Sequence, residues 1–168
     1  MKNIFGAVVI AFCLTGCLGY TIGPVKPNYL KDVHTIAVPT FENHTLIPRI
    51  EVMVTDTVIK QFQQDGTFKI ENGGNADATL KAQISRITRG PARSARGNVL
   101  STTEFTLIMR VKYRLVDRNG NTIGSPGDVQ GTTSFFRGSD VVTDERQALP
   151  LATEEVATHL VAQLSEGW

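Results

Sequence analysis

The chain has 168 residues, 41% of them hydrophobic, with 17 Lys and Arg against 16 Asp and Glu. That length fits one domain around a single hydrophobic core. The even charge balance argues against a general nucleic-acid binder, so an anionic partner would have to be met by a local patch.

The chain opens on one cation, Lys2, followed by an uncharged and largely apolar run over residues 3–16 that ends in Leu14-Thr15-Gly16-Cys17. A charged start, a short apolar stretch and small residues before a cut form the layout of a secretory signal. The run is interrupted by polar and Gly residues and falls short of the ~20 apolar residues of a membrane span. A Cys just past the small residues resembles the bacterial lipoprotein box. There the sulfur of Cys17 takes a diacylglycerol, and its freed amine takes a further acyl chain such as palmitate. Leu18 in the following position resembles outer-membrane sorting rather than retention. Cleavage after residue 16 leaves 152 residues with 16 basic and 16 acidic side chains. Cys13 departs with the signal and Cys17 is acylated, so no intramolecular disulfide is expected, and stability has to come from packing.

Residues 17–32 carry Gly19, Gly23, Pro24 and Pro27 without helical or strand period, and read as a lipidated N-terminus and tether. The domain follows over residues 33–168. His34 to Pro39 is a short strand, with Pro39 at its end because it cannot donate to a ladder. Over residues 47–62, Ile50, Val54, Val58 and Phe62 recur at helical spacing and form one apolar stripe, closed by Asp65-Gly66. Phe68 to Ile70 is a further short strand candidate.

Two long strands are the clearest signal. Ala78, Leu80, Ala82 and Ile84 alternate with polar residues. Phe105, Leu107, Met109, Val111, Tyr113 and Leu115 do the same over residues 103–116. The opposite face of the second strand carries Arg110, Lys112 and Arg114, as expected of a sheet covered on one side. At ~3.3 Å per residue it would span ~45 Å and project beyond the helices. Asn119-Gly120 predicts a type I′ hairpin with the return strand over residues 128–136. The last helix is expected over residues 143–164. Pro150 would cost ~3 kcal/mol inside it, so the regular part is placed from that residue onward. The order β-α-β-β-β-α predicts an α+β domain of two layers, a small, mixed, mostly antiparallel four-stranded sheet with two helices on one face.

No catalytic pattern stands out. His34, His44 and His159 are scattered, no zinc spacing or nucleophile elbow occurs, and Asp144-Glu145 and Glu154-Glu155 read as solvated helix charges. The chain is expected to be non-enzymatic, without cofactor or metal. The one charge constellation above background runs from Lys81 through Arg86, Arg89, Arg93 and Arg96, with no acid between Ala78 and Thr103. Residues 89–97 read as a basic loop continuing onto the face of Arg110, Lys112 and Arg114. Arg grips phosphate through two parallel hydrogen bonds, which points to a phosphorylated or otherwise anionic partner. The same cations also fit a solvated edge kept charged against edge-to-edge aggregation.

Taken in order, Cys17 to Tyr20, then Thr35-Ile36-Ala37-Val38-Pro39-Thr40-Phe41-Glu42-Asn43-His44-Thr45, Asp65-Gly66, Ala76-Asp77-Ala78 and Glu104 to Leu107 resemble the lipopolysaccharide-assembly lipoproteins of the LptE family. The resemblance implies an outer-membrane, lipid-anchored protein on the periplasmic side. Such a protein plugs and helps assemble an LptD-like barrel, and it binds lipopolysaccharide on its way to the outer leaflet. It further implies that Arg89, Arg93, Arg96, Arg110, Lys112 and Arg137 meet lipid A phosphates, with no nucleic-acid partner. Relatives carry an Arg in the stretch leading into the long strand, and here Ser101-Thr102-Thr103 stands instead, so either Arg96 takes that role or the role is weaker in this chain. The segment Ala37 to Asn43 also resembles envelope secretion and assembly lipoproteins that make protein contacts only.

Overall fold

A computed structural model describes residues 26–95 and 98–167. After a short 3₁₀ turn at Asn28–Leu30 come β1 (Thr35–Ala37), β2 (Glu42–Asn43), α1 (Ile50–Asp65), β3 (Lys69–Ile70), β4 (Ala78–Ala95), β5 (Asn98–Asp117), β6 (Thr122–Phe136) and α2 (Val141–Ser165). Cys17 and the signal and sorting residues lie outside the described residues, as does Arg96. Residues 26–32, placed in the tether by composition, include Leu30, whose side chain is fully buried.

The α+β class holds, but among the described residues the sheet has six strands rather than four. Its order is β3-β1-β4-β5-β6, with β2 also on β4. β1 runs parallel to both β3 and β4, β2 runs parallel to β4, and β4, β5 and β6 form an antiparallel meander. The extra strands are two-residue pieces, β2 and β3, too short to carry a period. β6 starts six residues before the expected position and takes in Gly124, Pro126 and Gly127, residue types that strands seldom favour.

Helix α1 buries the expected stripe, with Ile50, Val54, Val58 and Phe62 at most 2% exposed. Its first turn has no side-chain cap and starts from Arg49 at φ 63°. The Asn43 amide bridges to the Ile47 carbonyl and the Glu51 carboxylate instead, and so ties the end of β2 to the helix start. Helix α2 is regular from Val141, capped by the Asp140 carboxylate on the Val142 N–H, and holds Pro150 inside. Pro150 and Arg146, whose carbonyl would have accepted the missing N–H, are both exposed, so that carbonyl is not buried without a partner. The expected start at Pro150 was therefore too late.

The β5–β6 turn is also not type I′, which needs two residues at positive φ. Only Gly120 has one, at 86°, while Asn119 does not. The Asp117 carboxylate accepts from the Asn119 and Asn121 N–H groups and the Asn121 amide, and these bonds hold it below the usual carboxylate range.

Both helices pack together, and α2 lies on β5 and β6. The core joins Val54, Val58 and Phe62 to Ile36, Leu80, Ile84, Met109, Val156 and Leu160. At Gly131 of β6 a Cβ would sit 2.1 Å from the Ala152 carbonyl oxygen and 2.7 Å from the Val156 nitrogen, so only glycine lets the helix seat this close. The outer edge of β6 is sealed by α2 as well. The Glu155 carboxylate accepts from the Thr132 N–H, and His159 Nδ1, as an N–H donor, lies 2.8 Å from the Gln130 carbonyl oxygen. Glu155, expected to be only a solvated charge, thus caps a strand edge.

At the far end from the β5–β6 turn, the core stops at a stacked pair, Phe105 and Phe135, with ring centroids 5.6 Å apart. Beyond this row the β4–β5 hairpin continues, with Pro91, Ala92 and Arg93 exposed.

Candidate functional site: the open face of the sheet

The region expected to be a basic loop from Arg89 onward is strand as far as Ala95. Pairing with β5 continues through it, because a period-2 pattern broken by Gly90 and Pro91 still forms a ladder when the partner strand is long. Alternation then sorts the cations by face. A register shift between Ile84 and Arg86 puts Arg86 opposite Arg110 and Arg89 opposite Leu107. Arg89 therefore points to the helix side. Its guanidinium lies 2.6 Å from Glu145 of α2 and 5.3 Å from the Phe105 ring centroid, closing the end of the core. Arg93 stands across from Glu104 on the open side, 3.7 Å from its carboxylate. Arg137 is exposed just past the end of β6.

The open face carries Lys81 opposite Arg114 and Arg86 opposite Arg110, with Lys112 between Gln83 and Asp128. Two like-charge pairs face each other directly across the ladder, an arrangement that weakens a sheet. Among the described residues no carboxylate comes within 4.0 Å of Arg86, Arg110, Lys112 or Arg114. Two open recesses meet at Lys112. One of about 290 Å³ is lined by Glu42, Lys81, Gln83, Tyr113 and Arg114, and one of about 610 Å³ by Ser85, Arg86, Thr88, Ile108, Arg110 and Asp128. This surface can hold anions along its length by charge-assisted hydrogen bonds.

Tyr113 lies under the first recess, and its hydroxyl donates to Gln163 at 2.7 Å. Burial first, and then Tyr29, push its phenol up to about 12, so it stays neutral. At the opposite end of the sheet, Asp77 accepts from the backbone N–H groups of His34 and Thr35 and from the Thr35 hydroxyl, and pairs with Arg118 at 3.0 Å. Those hydrogen bonds, the His34 N–H foremost, hold its carboxyl below the usual range. Among the described residues no three His, Cys, Asp or Glu side chains are grouped to hold a metal. Arg86, part of the basic run in sequence, joins this face through its register with Arg110.

The family model for LptE, lipopolysaccharide-assembly, matches residues 33–164, which is the domain just described. The chain belongs to the LptE family. No curated protein matches this LptE-family chain. Its fold is similar to that of protein XCC0632 from Xanthomonas campestris, at 14% identity and a TM-score of 0.58, over 86% of this chain and 89% of that one. It is also similar to a minor lipoprotein from Acinetobacter baumannii, at 17% identity and a TM-score of 0.56, over 80% and 94%. A third likeness is to the PelC dodecamer from Paraburkholderia phytofirmans, at 13% identity and a TM-score of 0.52, over 86% and 94%. At such identities the likeness concerns the architecture. The LptE match is what ties this architecture to lipopolysaccharide assembly.

Proposed function

We propose that the chain is an outer-membrane lipoprotein, anchored through acyl chains on Cys17, that plugs and helps assemble an LptD-like barrel and binds lipopolysaccharide in transit to the outer leaflet. The family match over residues 33–164 carries this reading. The unneutralised open face supports it. Arg110 and Lys112 form the centre of the lipid A phosphate contact, and Arg93, Arg96 and Arg137 extend it toward the projecting end. Arg89 contributes through its grip on Glu145, which fixes the base of the projection. Several phosphates bound at once by fixed guanidinium groups would displace the divalent cations that bridge glycolipid molecules. Dispersal follows from competition for charge, with no bond made or broken, and we assign the chain no catalytic step.

Two measurements test the proposal. Affinity purification of the full chain from detergent-extracted outer membranes should recover a large barrel protein, and recovering none would sink the plug. Purified chain should retain lipopolysaccharide, and the paired changes Arg110→Glu with Lys112→Glu and Arg93→Glu with Arg96→Glu should each lower retention at least tenfold. Unchanged retention in both pairs would remove the glycolipid role and leave a protein-contact role at the barrel.

A further inference from the structure

The sheet has two free sides, and they are treated differently. Along β6, α2 covers the outward backbone groups of Gln130 and Thr132. Along β4, β1 covers the start and β2 covers Gln83 and Ile84, with the His44 N–H donating to the Ile84 carbonyl at 3.1 Å. There the cover ends. From Arg86 to Pro91 β4 keeps an unbroken register with β5, yet among the described residues no strand or side chain pairs its other edge. Pro91 has no N–H, so the usable edge is residues 86–90.

An exposed regular edge is a template for an added strand, which gains affinity from backbone hydrogen bonds and specificity from alternating side chains. The two sides of this edge differ in chemistry. On the open face a newcomer would lie beside Arg86, in the row of Arg110 and Gln130. On the helix face it would lie beside Ile87, which is only partly buried, and beside Arg89, whose charge is already taken by Glu145, and near Met53, which is 36% exposed. Met53 and Met109, the cross-strand partner of Ile87, both approach Thr153 at 3.9 Å. Leu46, two residues past the last β2 contact, is fully exposed.

We propose that residues 86–90 of β4 accept an extended segment of a partner protein as an added strand, one that alternates acidic and apolar residues. Acidic side chains would face Arg86 and Arg110, and apolar ones would cover Ile87 and Met53. A second copy of this chain does not fit, because pairing edge to edge would set Arg86 against another Arg86. This proposal does not depend on glycolipid binding, since its hydrogen bonds come from the backbone edge.

The probe is an eight-residue peptide of alternating Val and Glu, blocked at both ends, added to the purified full-length chain in detergent. Amide hydrogen exchange at residues 86–90 should slow at least tenfold on addition, with no matching change along β6. The same peptide N-methylated at alternate residues should lose the effect, as should one with Lys in place of Glu, and Arg86→Glu should weaken binding about tenfold. Equal binding by the N-methylated peptide would reduce the contact to side-chain charge and overturn strand addition. So would no binding, equal binding by the Lys peptide, or exchange at 86–90 already slow without peptide, which would mean the chain covers this edge itself.

Discussion

The two ends of the β4–β5 hairpin are one continuous ladder built to different rules. Near the β5–β6 turn the strands sit between β1 and β6 under two helices, and the carboxylates of Asp77 and Asp117 there are paired or hydrogen-bonded, with Lys81 beside Arg114 as the one like-charge pair. Past Ile84 the ladder loses its neighbour on one side, and Arg86 faces Arg110 without an acid between them. One end is arranged for stability. The other sets Arg86 against Arg110 beside an uncovered strand edge, a pairing that a bound anion would ease.

The comparison breaks most clearly at the apolar end. Phe62→Ala removes a ring that is fully buried and meets Phe68 edge-on at 6.2 Å, and should cost about 3–5 kcal/mol in urea unfolding. Asp77→Ala should cost about 1–2 kcal/mol, because it frees the backbone N–H groups that start β1. Asp77 has its carboxyl lowered in the folded protein, so its contribution is complete above the ordinary carboxylate pKa and disappears as pH falls from ~4 through the lowered value. The acid side of the parent's stability–pH curve should therefore be steeper than that of Asp77→Asn. A parallel pair of curves would remove Asp77 as the cause.

At the boundary between the ends, Arg89→Ala loses one partly exposed ion pair and one contact with the Phe105 ring. The expected loss is about 0.5–1 kcal/mol, with faster amide exchange confined to the first turns of α2. The smallest effect on folding belongs to Arg110→Glu with Lys112→Glu. Stability should stay within about 0.5 kcal/mol of the parent, since Arg110→Glu relieves one like-charge contact with Arg86 while Lys112→Glu makes one with Asp128, and lipopolysaccharide retention falls. A large loss of stability there would erase the distinction between the two ends.

Long periodic elements were legible in the sequence because one face of each is buried: the stripe of α1 and the alternation of β5 appear as read. Elements made by pairing rather than by pattern were not. β2 and β3 exist because neighbouring strands offer an edge to two residues each, and β6 begins among glycines that its partner tolerates. The cationic face of Arg110 and Lys112 was readable from alternation. The assignment of Arg89 to the opposite side was not, because it follows from a register shift at Ser85 that leaves no signature in composition.

Asp77 also bears on the order in which the protein acquires its shape. Its acceptors reach 43 residues back to His34 and 41 forward to Arg118, and the three-residue β1 needs β3 and β4 on either side of it. Such distant contacts form late, whereas the β4–β5–β6 meander and its helix close through near neighbours. On loop-closure grounds β1 is therefore expected to dock last. Until it does, Ile36 and its apolar neighbours remain open to wrong partners, and this interval is where a folding chaperone would have the most to protect.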